Sequence, residues 1–133
     1  MAKKTVLVVD DDPAILVAIE KVLRHPDLSV TTARNTLEAY NQARQLKPLL
    51  IISDIMMPTY GDGGSIIKHL REDPTMPTMP IVFMTGLALP EAFKLIPAND
   101  PTISVLSKPI DLNTLRDHVW KLAGIVPPEP QRP

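Results

Sequence analysis

Four short apolar runs in this sequence end on polar residues that could do chemistry. TVLVV (5–9) is followed by Asp10, Asp11 and Asp12, and LLII (49–52) by Ser53 and Asp54. IVFM (81–84) is followed by Thr85, and ISVL (103–106) by Ser107 and Lys108. Carboxylates brought together in one crevice repel one another, and burial alone would protonate one of them. A bound divalent cation is the other solution. All-oxygen ligands with room for water suit Mg²⁺, with Mn²⁺ as the alternative. A metal together with the Lys108 ammonium would neutralise an incoming phosphoryl group. Asp54 would then be the nucleophile at phosphorus, forming an acyl phosphate. Thr85 would donate a hydrogen bond to a phosphate oxygen.

Such a site exists only if the fold gathers these residues. Runs rich in Val, Ile and Leu, bounded by breakers, read as strands buried on both faces, as in the middle of a parallel sheet. Strands are predicted at Thr5–Val9, Leu28–Thr32, Leu49–Ile52, Ile81–Met84 and Ile103–Leu106, the second with the partial alternation of an edge strand. Asp12-Pro13 is a cap and first-turn pair opening a helix to about Arg24, with Ile15, Leu16, Ile19, Val22 and Leu23 inward. Asn35 with Glu38 resembles a capping box for a helix to about Leu46. Ser65–Glu72 reads as a helix with Ile66, Ile67 and Leu70 inward, after a loop over Ile55–Gly64. A short helix begins at Pro90. The last is capped by Asp111, runs to about Ala123 with Leu112, Leu115, Val119 and Leu122 as its stripe, and stops at Gly124.

Strands and helices therefore alternate five times, the pattern of a doubly wound α/β fold with a five-stranded parallel sheet and five helices. The flavodoxin-like strand order 2-1-3-4-5 is adopted as a known arrangement for such sheets. The carboxyl ends of all strands then share one rim, and Asp10, Asp11, Asp54, Thr85 and Lys108 share it with them. Taken singly, these residues have plain readings. Asp12 is a helix cap, and Asp10 and Asp11 could be no more than the solvated start of a helix. Thr85 alone is a turn hydroxyl and Lys108 alone a solvated lysine. Their common position at strand ends makes them a site.

Bulk properties agree with one domain. The 133 residues are 44% apolar and 22% charged, enough for a core, with a net charge of −1 that offers nucleic acid no basic patch. There is no cysteine, hence no disulfide frame or thiolate site. The first apolar run stops at Asp10, too short for a signal peptide or membrane span, so no membrane partner and a cytoplasmic location are expected. The 15 prolines fall at helix starts, in loops and in the tail VPPEPQRP (126–133). Residues 1–125 are read as the domain and 126–133 as a proline-rich tail or truncated linker. His25, His69 and His118 share no spacing and read as surface or helix-end residues. Met56-Met57, Phe93 and Trp120 are expected to pack.

VLVVDDD (6–12), IISDIMMP (51–58), FMTG (83–86) and SKP (107–109) resemble the receiver domain of two-component response regulators, over about Lys4–Ala123. The resemblance implies phosphotransfer to Asp54 from a sensor histidine kinase or phosphotransfer protein. It implies Mg²⁺ held by Asp11, Asp54, the backbone carbonyl of Met56 and waters, with Asp10 reaching the metal through water. It further implies Lys108 on the phosphate, a cis Lys108-Pro109 bond, and an output partner or absent output domain. A partner or homodimer contact would use the face of the fourth predicted helix, the fifth strand and the last helix. The chain would be a signalling phosphoacceptor rather than an enzyme, its chemistry limited to its own phosphorylation and dephosphorylation. Three positions depart from the family. Val105 stands where an aromatic switch residue is usual, Gly86 where a larger small residue is usual, and Thr59–Gly64 is one residue longer. Val105 favours an alternative, a pseudo-receiver that binds partners without phosphorylation. A metal-dependent phosphohydrolase with an aspartyl nucleophile would want an acid two residues beyond Asp54, where Met56 stands.

Overall fold

The computed structural model describes residues 4–54, 70, 72–76, 78–94 and 100–125. The apolar runs become five strands: β1 (Lys4–Val9), β2 (Leu28–Ala33), β3 (Leu50–Asp54), β4 (Ile81–Thr85) and β5 (Ile103–Ser107). All pair in parallel, in the order β2-β1-β3-β4-β5. Parallel pairing requires crossovers that cover both faces of a sheet, which is why β1, β3 and β4 are buried along most of their length. β5 lies at an edge and is only half-buried.

Four helices are present among the described residues: α1 (Pro13–Leu23), α2 (Thr36–Leu46), the short α3 (Leu89–Ala92) and α4 (Leu112–Ala123). Of the predicted helix Ser65–Glu72, Leu70 and Glu72 are described. Both are helical and Leu70 is buried. Its other inward residues, the loop Ile55–Gly64 with Met56-Met57, His69 and the tail 126–133 lie outside the described residues.

The helix starts follow local chemistry. Asp12 accepts the Ala14 N–H at 2.9 Å with Pro13 in the first turn, and Asn35 accepts from Glu38 N at 2.8 Å. Asp111 accepts from Thr114 N at 3.0 Å, and Gly124, at φ 69°, ends α4 in the left-handed conformation. Lys4 Nζ donates to the Ala123 carbonyl at 2.6 Å, tying the first strand to the end of the last helix.

Period-two alternation splits the core into two layers. Val6, Val8, Leu50, Ile52, Val82 and Met84 face α1 and α4. Leu7, Val9, Ile51, Ile81 and Phe83 face Ala39 and Ala43 of α2, with Leu70 and Ala92. Four details differ from the sequence reading. Leu49 precedes β3 and is 37% exposed, its N–H donating to Thr5 O at the amino-end rim. Leu112 and Leu122 stand at the border of the α4 stripe, 36% and 37% exposed, while Trp120 and Ala123 are buried with Leu115 and Val119. Ile15 and Val22 of α1 only partly enter the core. Phe93, just after the one-turn α3, is 55% exposed, while its neighbour Ala92 takes the buried position.

Candidate functional site

β1 delivers Asp10 to the carboxyl rim, where its N–H continues the ladder by donating to Ala33 O at 3.1 Å. Its carboxylate is 1% exposed, and Oδ1 accepts from Asp12 N at 2.9 Å. Asp54 is the last residue of β3, level with Met84 of β4. Thr85 ends β4 and is likewise buried; its Oγ1 accepts the Leu87 N–H at 2.9 Å, which leaves the hydroxyl proton to donate. The Thr85 carbonyl accepts Lys108 N at 2.6 Å, pinning the residue after β5 against the end of β4. The Lys108-Pro109 bond is cis, as the sequence resemblance implied.

The sheet order therefore sets four residues side by side. Lys108 Nζ lies 2.8 Å from Asp54 Oδ2 and 3.5 Å from Asp10 Oδ2. Asp11, the exposed member, completes a group of three carboxylates with Asp10 and Asp54, whose nearest ligand oxygens all lie within 4.8 Å of one another. This donor set is all oxygen and carries more negative charge than Lys108 offsets, which fits a hard divalent ion. The predicted Met56 carbonyl ligand lies outside the described residues.

The electrostatics follow from burial. Burial pushes the Asp10 carboxyl above its ordinary pKa, and the charge of Asp54 adds to this against the Asp12 N–H and Lys108. Burial opposes the Lys108 charge, but the hydrogen bond and charge of Asp54, then Asp10, outweigh it and hold the ammonium above its usual pKa. Val105 is level with Phe83 across the β4–β5 ladder and packs against the α2-side core layer. It offers no ring that could rotate. Among the described residues outside its chain neighbours, a Cβ at Gly86 would meet nothing within 4 Å.

The two described histidines, His25 and His118, stand apart from this rim. His25 accepts from Asp27 N at 3.0 Å and meets the Trp120 ring edge-on, and His118 lies 3.1 Å from Ser104 Oγ. One rim residue escaped the sequence reading. Arg34 directly follows Ala33 at the end of β2, and its Nη2 donates to the Asp11 carbonyl at 3.4 Å. The signal was available: a cation directly after a strand, as with Lys108.

Among the described residues no helix is long and apolar enough to cross a membrane. The sequence model of the response regulator receiver domain matches residues 6–120. Response regulator Rre1 of Synechocystis sp. is 37% identical over 83 residues, 62% of this chain and 36% of that protein. The alkaline phosphatase synthesis transcriptional regulatory protein PhoP of Bacillus subtilis is 37% identical over 83 residues, 62% of this chain and 33% of that protein. The chain thus spans about a third of the length of these two relatives. The structure of the chemotaxis response regulator CheY4 of Vibrio cholerae superposes with a TM-score of 0.78 at 28% identity, covering 91% of this chain and 99% of that one. The motifs, the strand order and these likenesses agree, and the chain belongs to the response regulator receiver domain family of two-component systems.

Proposed function

We propose that this domain is a phosphorylation switch in which Asp54 accepts a phosphoryl group from a histidine kinase or phosphotransfer protein. The observation that carries the reading is Lys108 Nζ at 2.8 Å from Asp54 Oδ2, inside a group of three carboxylates. An ammonium so placed screens a carboxylate from an approaching anion and can pass to a phosphate oxygen once the acyl phosphate forms. In the transfer, a carboxylate oxygen of Asp54 bonds to phosphorus as the P–N bond to the donor imidazole breaks. The ring, protonated on its other nitrogen, takes the bonding pair and departs neutral. Thr85 supplies its hydroxyl proton as a hydrogen bond to a phosphate oxygen, and its buried position keeps that donor aimed.

Asp10, Asp11 and Asp54, with the Met56 carbonyl, would hold Mg²⁺ or Mn²⁺, which when bound supplies charge neutralisation at the phosphoryl oxygens. Asp10 keeps its Oδ1 on the Asp12 amide and so reaches a metal through water more readily than directly. Residues 1–125 are read as the switch domain and 126–133 as a proline-rich tail or truncated linker. The exposed Leu89 and Phe93, with β5 and α4, form the face on which a partner or second copy would dock, in the cytoplasm. Val105 favours a second reading, a phosphorylation-independent binding module, because ring rotation behind Thr85 is not available to couple the site to that face.

One experiment separates the two. With acetyl phosphate and Mg²⁺, intact mass spectrometry is expected to show one added phosphoryl group on the wild type and none on Asp54→Asn. Labelling that survives the substitution refutes Asp54 as acceptor; no labelling of the wild type favours the binding module.

A further inference from the structure

We propose that Arg34 is a second cation of this rim, a positioning residue that draws the anionic phosphodonor in and weakens the hold on the metal. The inference rests on the phosphoacceptor reading above. Lys108 offsets one of the three carboxylate charges and a divalent ion the other two, so the loaded rim is neutral in formal charge. The Asp12 carboxylate, turned onto Ala14 N at the start of α1, leaves this end of β1 negative. A phosphodonor is itself an anion and meets no net attraction there.

Arg34 changes that balance from the opposite side. Lys108 enters from the β5 side and is only 26% exposed, committed to Asp54 and Asp10. Arg34 stands on the β2 side, exposed, its guanidinium held to the Asp11 carbonyl by one Nη2 hydrogen bond at 3.4 Å. One donor of five anchors the group beside the carboxylate-bearing residue. Its planar fork can present further N–H groups to an arriving phosphate. The anchor falls on a backbone oxygen, and among the described residues no carboxylate pairs with the guanidinium in direct contact. The same charge repels a divalent cation at Asp11. Arg34 therefore acts with opposite sign on the two ligands of the site.

That opposition is the test, made on the full chain at saturating Mg²⁺ with acetyl phosphate as donor and intact mass as readout. Calorimetric titration with Mg²⁺ alone is run in parallel. At low salt, Arg34→Gln is expected to slow phosphorylation about two- to fourfold and to tighten Mg²⁺ binding about twofold, as for one partly screened charge. Arg34→Glu extends both changes, Arg34→Lys restores both, and about 0.5 M salt removes most of the difference. A merely structural role would lower rate and affinity together. Changes of the same sign, or none in either quantity, overturn the proposal. A wild-type chain that takes no phosphoryl group while Asp10, Asp11 and Asp54 still bind Mg²⁺ overturns the reading beneath it, and the role of Arg34 with it.

Discussion

Replacing Asp10 by Asn should stabilise the metal-free domain and abolish most of its stabilisation by Mg²⁺. Asp10 is 1% exposed, and its nearest ligand oxygen lies within 4.8 Å of those of Asp11 and Asp54. At that distance each carboxylate pair repels by about 0.9 kcal/mol in a water-like dielectric and about 3.5 kcal/mol at an effective dielectric of 20. The attraction of Lys108 Nζ at 3.5 Å returns about 1.2–4.7 kcal/mol on the same scale. Two repulsions against one attraction leave a net gain of about 0.5–2 kcal/mol on neutralisation, before any relief of desolvation. The amide keeps the shape, and its oxygen can still accept the Asp12 N–H. In a domain of this size the gain is worth about 2–8 °C in Tm.

The assay is thermal or urea unfolding of both proteins, in EDTA and in Mg²⁺. At tenfold excess over its Kd the metal should add about 1.4 kcal/mol to the wild type, by mass action, and much less to Asp10→Asn. The pH dependence has a definite sign. Burial raises the folded pKa of Asp10, so between the unfolded value and the raised one the folded state holds more protons than the unfolded. This group's contribution therefore falls as pH rises through that window and stays unfavourable above it. The substituted protein should lose that component of the slope. A lower Tm for Asp10→Asn in EDTA, or an equal Mg²⁺ shift in both proteins, would refute the electrostatic account.

Two further outcomes follow from single backbone positions. Lys47 closes α2 at φ 47°, a left-handed conformation that crowds its Cβ, and Lys47→Gly should raise stability by about 0.5–1 kcal/mol, read as a higher urea midpoint at unchanged m. Gly86→Ala should leave stability within about 0.5 kcal/mol, since its Cβ would meet nothing within 4 Å among the described residues beyond its chain neighbours, yet slow loss of the phosphoryl group by adding a methyl next to Thr85 in the chain. Unfolding curves and the decay of the phosphorylated mass check the two halves separately.

The sequence determined by itself what depends on near neighbours. Val6–Val9 and Leu50–Ile52 announce doubly buried strands by composition, and Asp12, Asn35, Asp111 and Gly124 mark helix ends through bonds to amides or carbonyls a few residues away. The alternation of strands and helices, with a parallel sheet, then assigns Asp10, Asp54, Thr85 and Lys108 to a common rim. Tertiary structure alone decided what depends on partners far along the chain. Whether Leu112 or Trp120 lies inside is set by what packs over α4: His25 and the α1-side core close over the indole, while Leu112 stays 36% exposed at the border of the stripe. The Lys108–Asp54 pair joins residues 54 positions apart, and Arg34 reaches Asp11 across 23. Local periodicity reports which residues can turn inward. Charge distances and coverage arise only when strands order themselves in the sheet, since no residue within a turn of these groups fixes where their partners lie.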